Sequence, residues 1–170
     1  MKEYIIIFFL LIFLGCSNQS EYKEFHENGN ISVEGNLING KGEGLWKEYD
    51  ENGQLTSKGN LKNQYRDGLW EHYDSYGNLF LQVNWKNGKK EGFWKRYFEN
   101  GQVVEEVTYK NDKKNGVYKY YYRSGKIREY INFENGISKG LLKWYHENGQ
   151  LLRSYNWDEN DSEECWKDNG

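Results

Sequence analysis

Gly44-Leu45-Trp46-Lys47-Glu48-Tyr49-Asp50-Glu51-Asn52-Gly53-Gln54-Leu55 holds the pattern that decides the fold. A glycine opens it, an apolar residue and a ring follow, a tyrosine comes three places later, and a polar turn closes on Asn-Gly. The turn glycine then recurs at a fixed interval: Gly29, Gly53, Gly77, Gly101, Gly125 and Gly149 are each 24 residues apart. A second series keeps the same phase, with Gly68-Leu69-Trp70, Gly92-Phe93-Trp94, Gly116-Val117-Tyr118 and Gly140-Leu141-Leu142 each leading to a tyrosine, at 73, 97, 121 and 145. A repeat of this length, held in phase along the whole chain, is the mark of a stacked array of one supersecondary unit.

Between the glycines, residues alternate with period two, as in a strand with one buried face. After each turn the odd positions are apolar, as in Leu79, Leu81, Val83 and Trp85. Before each turn Leu69 and Tyr73, or Phe93 and Tyr97, are odd as well, so both strands are expected to bury their odd side. That parity favours a three-residue loop, Glu51-Asn52-Gly53, with the glycine left-handed in a G1 bulge and Tyr49 opposite Leu55. The return connections, such as Lys86 to Gly92, read as longer polar loops that set Trp85 opposite Phe93. The predicted fold is all-β: an elongated antiparallel meander of about six hairpin repeats, or about twelve short strands, preceded by a short N-terminal signal helix. The array is expected to occupy residues 22–168, entered through Tyr22 and left through Trp166, with residues 16–21 as a short tether.

Composition agrees with this architecture. The chain has 170 residues, 36% hydrophobic and 18% aromatic, with 19 Gly and no Pro, so rings supply much of the apolar area and glycines supply the turns. Its formal net charge is -3, with both signs interleaved throughout, which offers no basic face to a phosphate backbone. Nucleic acid is therefore not an expected partner.

The first residues differ from everything after them. Lys2 precedes an apolar stretch, Tyr4 to Leu14, that ends at Gly15-Cys16 before the polar Ser17-Asn18. It is about half the roughly 20 residues that a membrane-spanning helix needs, and it reads as an export signal over residues 1–15, with an uncleaved anchor as the alternative. Phe13-Leu14-Gly15-Cys16 resembles the bacterial lipobox, which implies acylation of Cys16 and membrane attachment through an N-terminal lipid. The other reading of Cys16 is a buried apolar thiol. With Cys16 acylated, Cys165 has no disulfide partner, and stability must come from packing.

The array itself resembles the MORN-repeat superfamily, in the bacterial variant often labelled YwqK-like antitoxin repeats. Val33 to Gly44 and Val83 to Gly92 carry the apolar or aromatic residue, Asn-Gly turn, basic residue and closing glycine of that motif. The inner glycine of the motif stands at Gly35 and Gly59, but valine replaces it at Val83 and Val107. The resemblance implies a β-hairpin fold and a binding or scaffolding role; the antitoxin label comes with the family name.

No residues point to catalysis, so no enzyme activity and no cofactor or metal are expected. His26 and His146 share a repeat position with Asp50, Asp74, Phe98 and Tyr122, which marks a turn flank and not a ligand set. His72 stands in a strand with no nucleophile motif beside it and reads as an exposed polar residue. Neighbouring carboxylates such as Glu105 and Glu106 point to opposite faces of a strand. The column Trp46, Trp70, Trp94 and Tyr118 falls on even positions, so it is expected on the side opposite the aliphatic set. There it serves either as cross-strand packing or as an exposed ladder for a protein, peptide or glycan. The expected function is a non-enzymatic envelope lipoprotein that binds another macromolecule, with an antitoxin or immunity protein as the alternative. Ser17 after the cysteine favours the outer membrane if the cell is Gram-negative.

Overall fold

A computed structural model describes residues 18–158 of the chain. The expected signal segment and its helix, Cys16 and Trp166 lie outside the described residues. Everything regular within them is strand. Contacts divide the chain into two units at Gly92/Phe93. The first contains β1 (Gln19–Phe25), β2 (Ile31–Ile38), β3 (Lys41–Tyr49), β4 (Leu55–Lys62), β5 (Tyr65–Tyr73) and β6 (Leu79–Lys86), and β7 (Lys89–Tyr97) spans the boundary. The second contains β8 (Val103–Lys110), the two-residue β9 (Lys113–Lys114), β10 (Gly116–Tyr121), β11 (Ile127–Glu134), β12 (Ile137–Tyr145) and β13 (Leu151–Asn156). In each unit successive strands pair antiparallel with their neighbours in sequence, and β9 pairs only with β8. The predicted all-β meander of hairpins is the observed architecture.

The hairpin turns form as the sequence predicts. Asp50 N–H donates to Gln54 O at 2.9 Å and Gly53 N–H to Asp50 O at 3.0 Å, enclosing the loop Glu51-Asn52-Gly53. Gly53 takes φ +78, a left-handed value that glycine adopts without steric cost. The Asp50 carboxylate accepts from the N–H groups of Asn52 and Gln54, and Asp74 does the same for Tyr76 and Asn78. Tyr49 faces Leu55 across the turn.

One residue further, the register changes, and so does the buried side. Glu48 faces Ser57, which leaves Thr56 as an extra residue, and the same shift recurs beside Phe25, Tyr73, Tyr121 and Tyr145. A one-residue bulge moves every later side chain to the other face. Beyond the bulge, strands that follow a hairpin turn therefore bury their odd positions, whereas strands that precede one bury their even positions; at the bulge position itself Val104 is buried, at 2% exposure. The expectation that both bury the odd side is overturned by this bulge.

The return connections are also tighter than expected. Asn39-Gly40, Asn63-Gln64 and Asn135-Gly136 are two-residue turns, with Ile38 facing Lys41 and Lys62 facing Tyr65. Both turn residues have positive φ, as in Asn39 at +53 and Gly40 at +75, the geometry that matches the twist of paired strands. A two-residue turn pairs odd with even, so Leu37 faces Gly42, Leu61 faces Arg66 and Phe133 faces Ser138. The odd-to-odd pairing expected of Trp85 and Phe93 is not the pattern of these returns.

The core lies along one face. Trp70 and Val83 are 2% exposed in the first unit, and Val107, Ile131 and Leu142 are similarly buried in the second. Trp46 and Trp70 flank Gly59 as its cross-strand partners. The Trp70 ring folds down over Gly59 and the Trp46 ring over Gly35, close enough that a Cβ on either glycine would meet ring carbons within 2.5 Å. In the second unit the pairs at the equivalent repeat positions are Val107 with Tyr118 and Ile131 with Leu142, while Val83 and Trp94 stand at these positions of the intervening repeat.

Candidate binding faces

The core face also carries a polar row. Ser57 is 2% exposed and donates to Glu48 Oε2 at 2.5 Å, and Arg66 reaches Glu48 Oε1 at 3.5 Å. The Arg66 guanidinium lies 4.1 Å from the Trp70 ring centroid, closing the indole off from solvent. Trp70 Nε1 donates to Asn60 O at 3.0 Å. His72 faces Ser57 and Leu81 in this row. It is half-buried and not the exposed residue that the sequence suggests, and burial, with the Arg66 charge, holds its pKa below the usual histidine value. Glu48, Ser57 and His72 thus stand side by side on β3, β4 and β5. Their order is unsuited to nucleophilic chemistry, because the serine donates to the carboxylate and is sealed from solvent.

The tryptophan column belongs to this same face. Trp70 is buried, Trp46, Trp94 and Tyr118 are half-buried, and Tyr118 donates to Glu105 Oε2 at 2.7 Å. The column therefore lies with the aliphatic set and not opposite it, and Trp70 presents no exposed ring. The bulge beside Tyr49 and Tyr73 is the physical reason, since it exchanges the faces of Leu45 and Trp46, and of Leu69 and Trp70.

What the opposite face presents was missed in the sequence. Leu45, Leu69 and Leu141 are 49%, 38% and 45% exposed. Leu45 faces Asn60, Leu69 faces Asn84 and Leu141 faces Asn156, so the same leucine-amide pair recurs in three repeats, and Val117 faces Asn132 in a fourth. The signal was present in the fixed spacing of Leu45 to Asn60 and Leu69 to Asn84, but it became legible only once the bulge had assigned the faces.

Beside these pairs runs a ladder of neutralised carboxylates. Glu34 accepts from Lys47 at 3.0 Å and from the Tyr49 hydroxyl at 2.7 Å. Glu71 pairs with Lys58 at 3.1 Å and accepts from Tyr73 and Gln82. In the second unit Glu106 holds Lys95 and Lys119, each at 3.3 Å, and accepts from Tyr121 at 2.7 Å. The hydrogen bonds from Tyr49 and Lys47 draw Glu34 below the usual carboxylate range. Burial pushes Glu71 and Glu106 up, but their hydrogen-bonded partners outweigh it and the net direction is down for both. Two shallow grooves open on this face of the first unit. One, about 230 Å³, is lined by Lys23, Glu34, Asn36, Leu45 and Lys47, and the other, about 350 Å³, by Lys62, Asp67, Asn84, Trp85 and Glu91.

The turn flanks act as links between hairpins. His26 Nε2 lies 2.9 Å from Tyr49 O, and Tyr122 donates to Tyr145 O at 2.7 Å. Among the described residues no group of three or more His, Cys, Asp or Glu side chains is placed to hold a metal ion. No helix of the described residues is long and apolar enough to cross a membrane.

A run of hairpins, each offering the same face, defines a class of tandem-repeat proteins that bind or scaffold through extended surfaces. The model of the family described as MORN repeat variant matches this chain six times, at residues 19–39, 42–63, 66–87, 90–111, 114–135 and 139–159. The chain belongs to that family, and it is a repeat-containing binding or scaffolding protein. No curated protein matches it.

Proposed function

We propose that this protein is a non-enzymatic binding module of the bacterial cell envelope, acylated at Cys16 after removal of residues 1–15, that holds another macromolecule, a protein or a glycan, against its repeats. In a Gram-negative cell its place is the outer membrane. The observation that carries the binding role is the exposed Leu-Asn pair presented at the same height by successive hairpins, on the face turned away from the tryptophans. A surface that keeps leucines exposed beside amides in several hairpins offers apolar contact with hydrogen bonding in register. The attachment rests on the Gly15-Cys16 motif after the apolar stretch.

A photo-crosslinking residue at position 69 in intact cells is expected to capture a partner that Leu45→Asp abolishes at unchanged thermal stability. Adducts that persist in Leu45→Asp, or that form equally from the buried position 70, would remove this face from consideration. Intact-mass spectrometry of the native protein is expected to show a chain that begins at an acylated Cys16; an unmodified Met1 start would refute the attachment. A toxin is one partner of the required kind, and protection on co-expression with a neighbouring toxin-like gene is the result that would select the antitoxin alternative.

A further inference from the structure

We infer that the return-turn rim of the first unit binds an acidic glycan, a polymer whose sugars carry carboxylates, with the groove between Lys62 and Lys86 as its principal seat. Asn84, of the Leu69-Asn84 pair, lines that groove, so this ligand rests on the binding role proposed above. Lysines and carboxylates that alternate along the sequence are sorted by the fold. Within residues 18–92, Lys23, Lys47, Lys58 and Arg66 are ion-paired, and Lys90 lies over the Trp85 ring. The other cations of this stretch, Lys41, Lys62, Lys86 and Lys89, are exposed, and their side chains have no ion pair or hydrogen bond among the described residues. All of them flank the return turns Asn39-Gly40, Asn63-Gln64 and Asn87-Gly88.

The carboxylates of this rim are already committed. Glu43 accepts from Asn63 N–H at 2.9 Å and Asp67 from Asn87 N–H at 3.3 Å, so each fixes the return turn that follows it. The hairpin-turn rim has the opposite character, since its turns in this unit carry Glu27, Asp50, Glu51 and Asp74 and no lysine or arginine. Strands of 7 to 9 residues separate the two rims. At about 3.3 Å per residue that is roughly 23–30 Å, against a Debye length of about 8 Å at physiological salt. The rims therefore do not neutralise each other, and the cationic one selects an anionic ligand.

The groove decides the kind of anion. Its volume, about 350 Å³, is in the range of small-molecule sites. Lys62 and Lys86 stand on it one repeat apart, Asn84 supplies an amide whose side chain has no hydrogen bond among the described residues, and the half-buried Trp85 supplies an apolar wall. Asp67 and Glu91 line the same groove. Carboxylates beside the lysines repel a ligand with charge on every unit, such as a polyphosphate or a nucleic acid, but accept hydrogen bonds from hydroxyls. A sugar that bears a carboxylate among several hydroxyls meets all of these groups. Its carboxylate reaches the amines, its hydroxyls reach the amide and the acids, and its C–H surface meets the Trp85 wall.

Calorimetric titration of the purified full chain in mild detergent with oligogalacturonate tests the inference. Binding is expected, falling as salt rises and weakened roughly tenfold or more by Lys62→Glu or by Lys86→Glu. Asn84→Ala is expected to weaken it at unchanged salt dependence, because an amide is lost and no charge. Lys126→Glu, at an exposed position beside a hairpin turn of the second unit, makes the same change in net charge and is expected to bind as the native chain does. Circular dichroism of each variant establishes that these substitutions leave the strands folded. A native chain that ignores oligogalacturonate, losses no greater in Lys62→Glu than in Lys126→Glu, or equally tight binding of polyphosphate or of the neutral methyl ester of oligogalacturonate would overturn the inference. A partner protein captured through position 69 in cells, with no glycan bound, overturns this inference alone and leaves the binding role standing.

Discussion

Gly59 lies beneath the indole of Trp70, and a Cβ built on Gly59 would sit 2.4 Å from two of the ring carbons. The glycine is not left-handed, so backbone conformation does not require it. Its role is to leave room for the ring. Trp70, at 2% exposure, is the largest fully buried side chain of the described residues, and it occupies that space because Gly59 vacates it.

Gly59→Ala is therefore expected to cost about 1–3 kcal/mol by overpacking, read as a lower urea midpoint at an unchanged slope. Trp70→Leu alone loses ring burial and leaves a void. Combined with Gly59→Ala, it is expected to cost clearly less than the two single changes together. The pair Ile131 and Leu142 already makes this exchange in the second unit. Additive costs in the double variant would show that the two residues do not share one space.

Gly53 gives the opposite case. No atom lies within 4 Å of a Cβ placed there, yet its φ is +78. Gly53→Ala is expected to destabilise by about 1 kcal/mol through backbone strain alone, and Gly53→Asn by less, since asparagine tolerates the left-handed region. Equal losses for Ala and Asn in chemical denaturation would refute a purely conformational cause.

These two glycines also show why the sequence was legible in part. Gly53 belongs to a turn whose chemistry is local, so Asn52-Gly53 announced both the loop length and the pairing of Tyr49 with Leu55. The bulge one residue later has no such signature, because its position holds Thr56, Phe80 and Arg128 in different repeats. Strands such as β3 and β5 compound the ambiguity, since Leu45 and Trp46, or Leu69 and Trp70, put apolar residues on both faces in succession. Alternation alone could not choose between them. The hairpin fold and its phase were thus readable, whereas the side that holds the tryptophans depended on one unpaired residue per hairpin.

Arg66 covers Trp70 from outside, 4.1 Å from the ring centroid, and lies 5.4 Å from the Trp85 ring. Arg66→Ala is expected to destabilise by about 1 kcal/mol through the lost cation-π contact and to shift tryptophan emission to the red as water reaches the indole. Arg66→Lys is expected to recover only part of both effects, because an ammonium lacks the planar stacking surface. Unchanged emission in Arg66→Ala would show that the guanidinium does not shield the ring.

The carboxylate ladder sets the acid response. Glu34, Glu71 and Glu106 each have a pKa held below the ordinary glutamate value by hydrogen bonds from tyrosine and lysine, with glutamine added at Glu71. A carboxylate whose pKa is lower folded than unfolded stabilises the fold above the unfolded value, about 4.3. That contribution is lost as the pH falls from there through the lowered folded value. The urea midpoint is therefore expected to hold from neutrality to the upper end of the carboxylate range and then to fall as acidification proceeds. Glu106→Gln keeps a partner for Tyr121 but removes the charge that faces Lys95 and Lys119. It is expected to lower the midpoint at neutral pH and to flatten the acid decline, so that variant and native chain converge at the acid end. Parallel declines in the two proteins would assign the acid sensitivity to other groups.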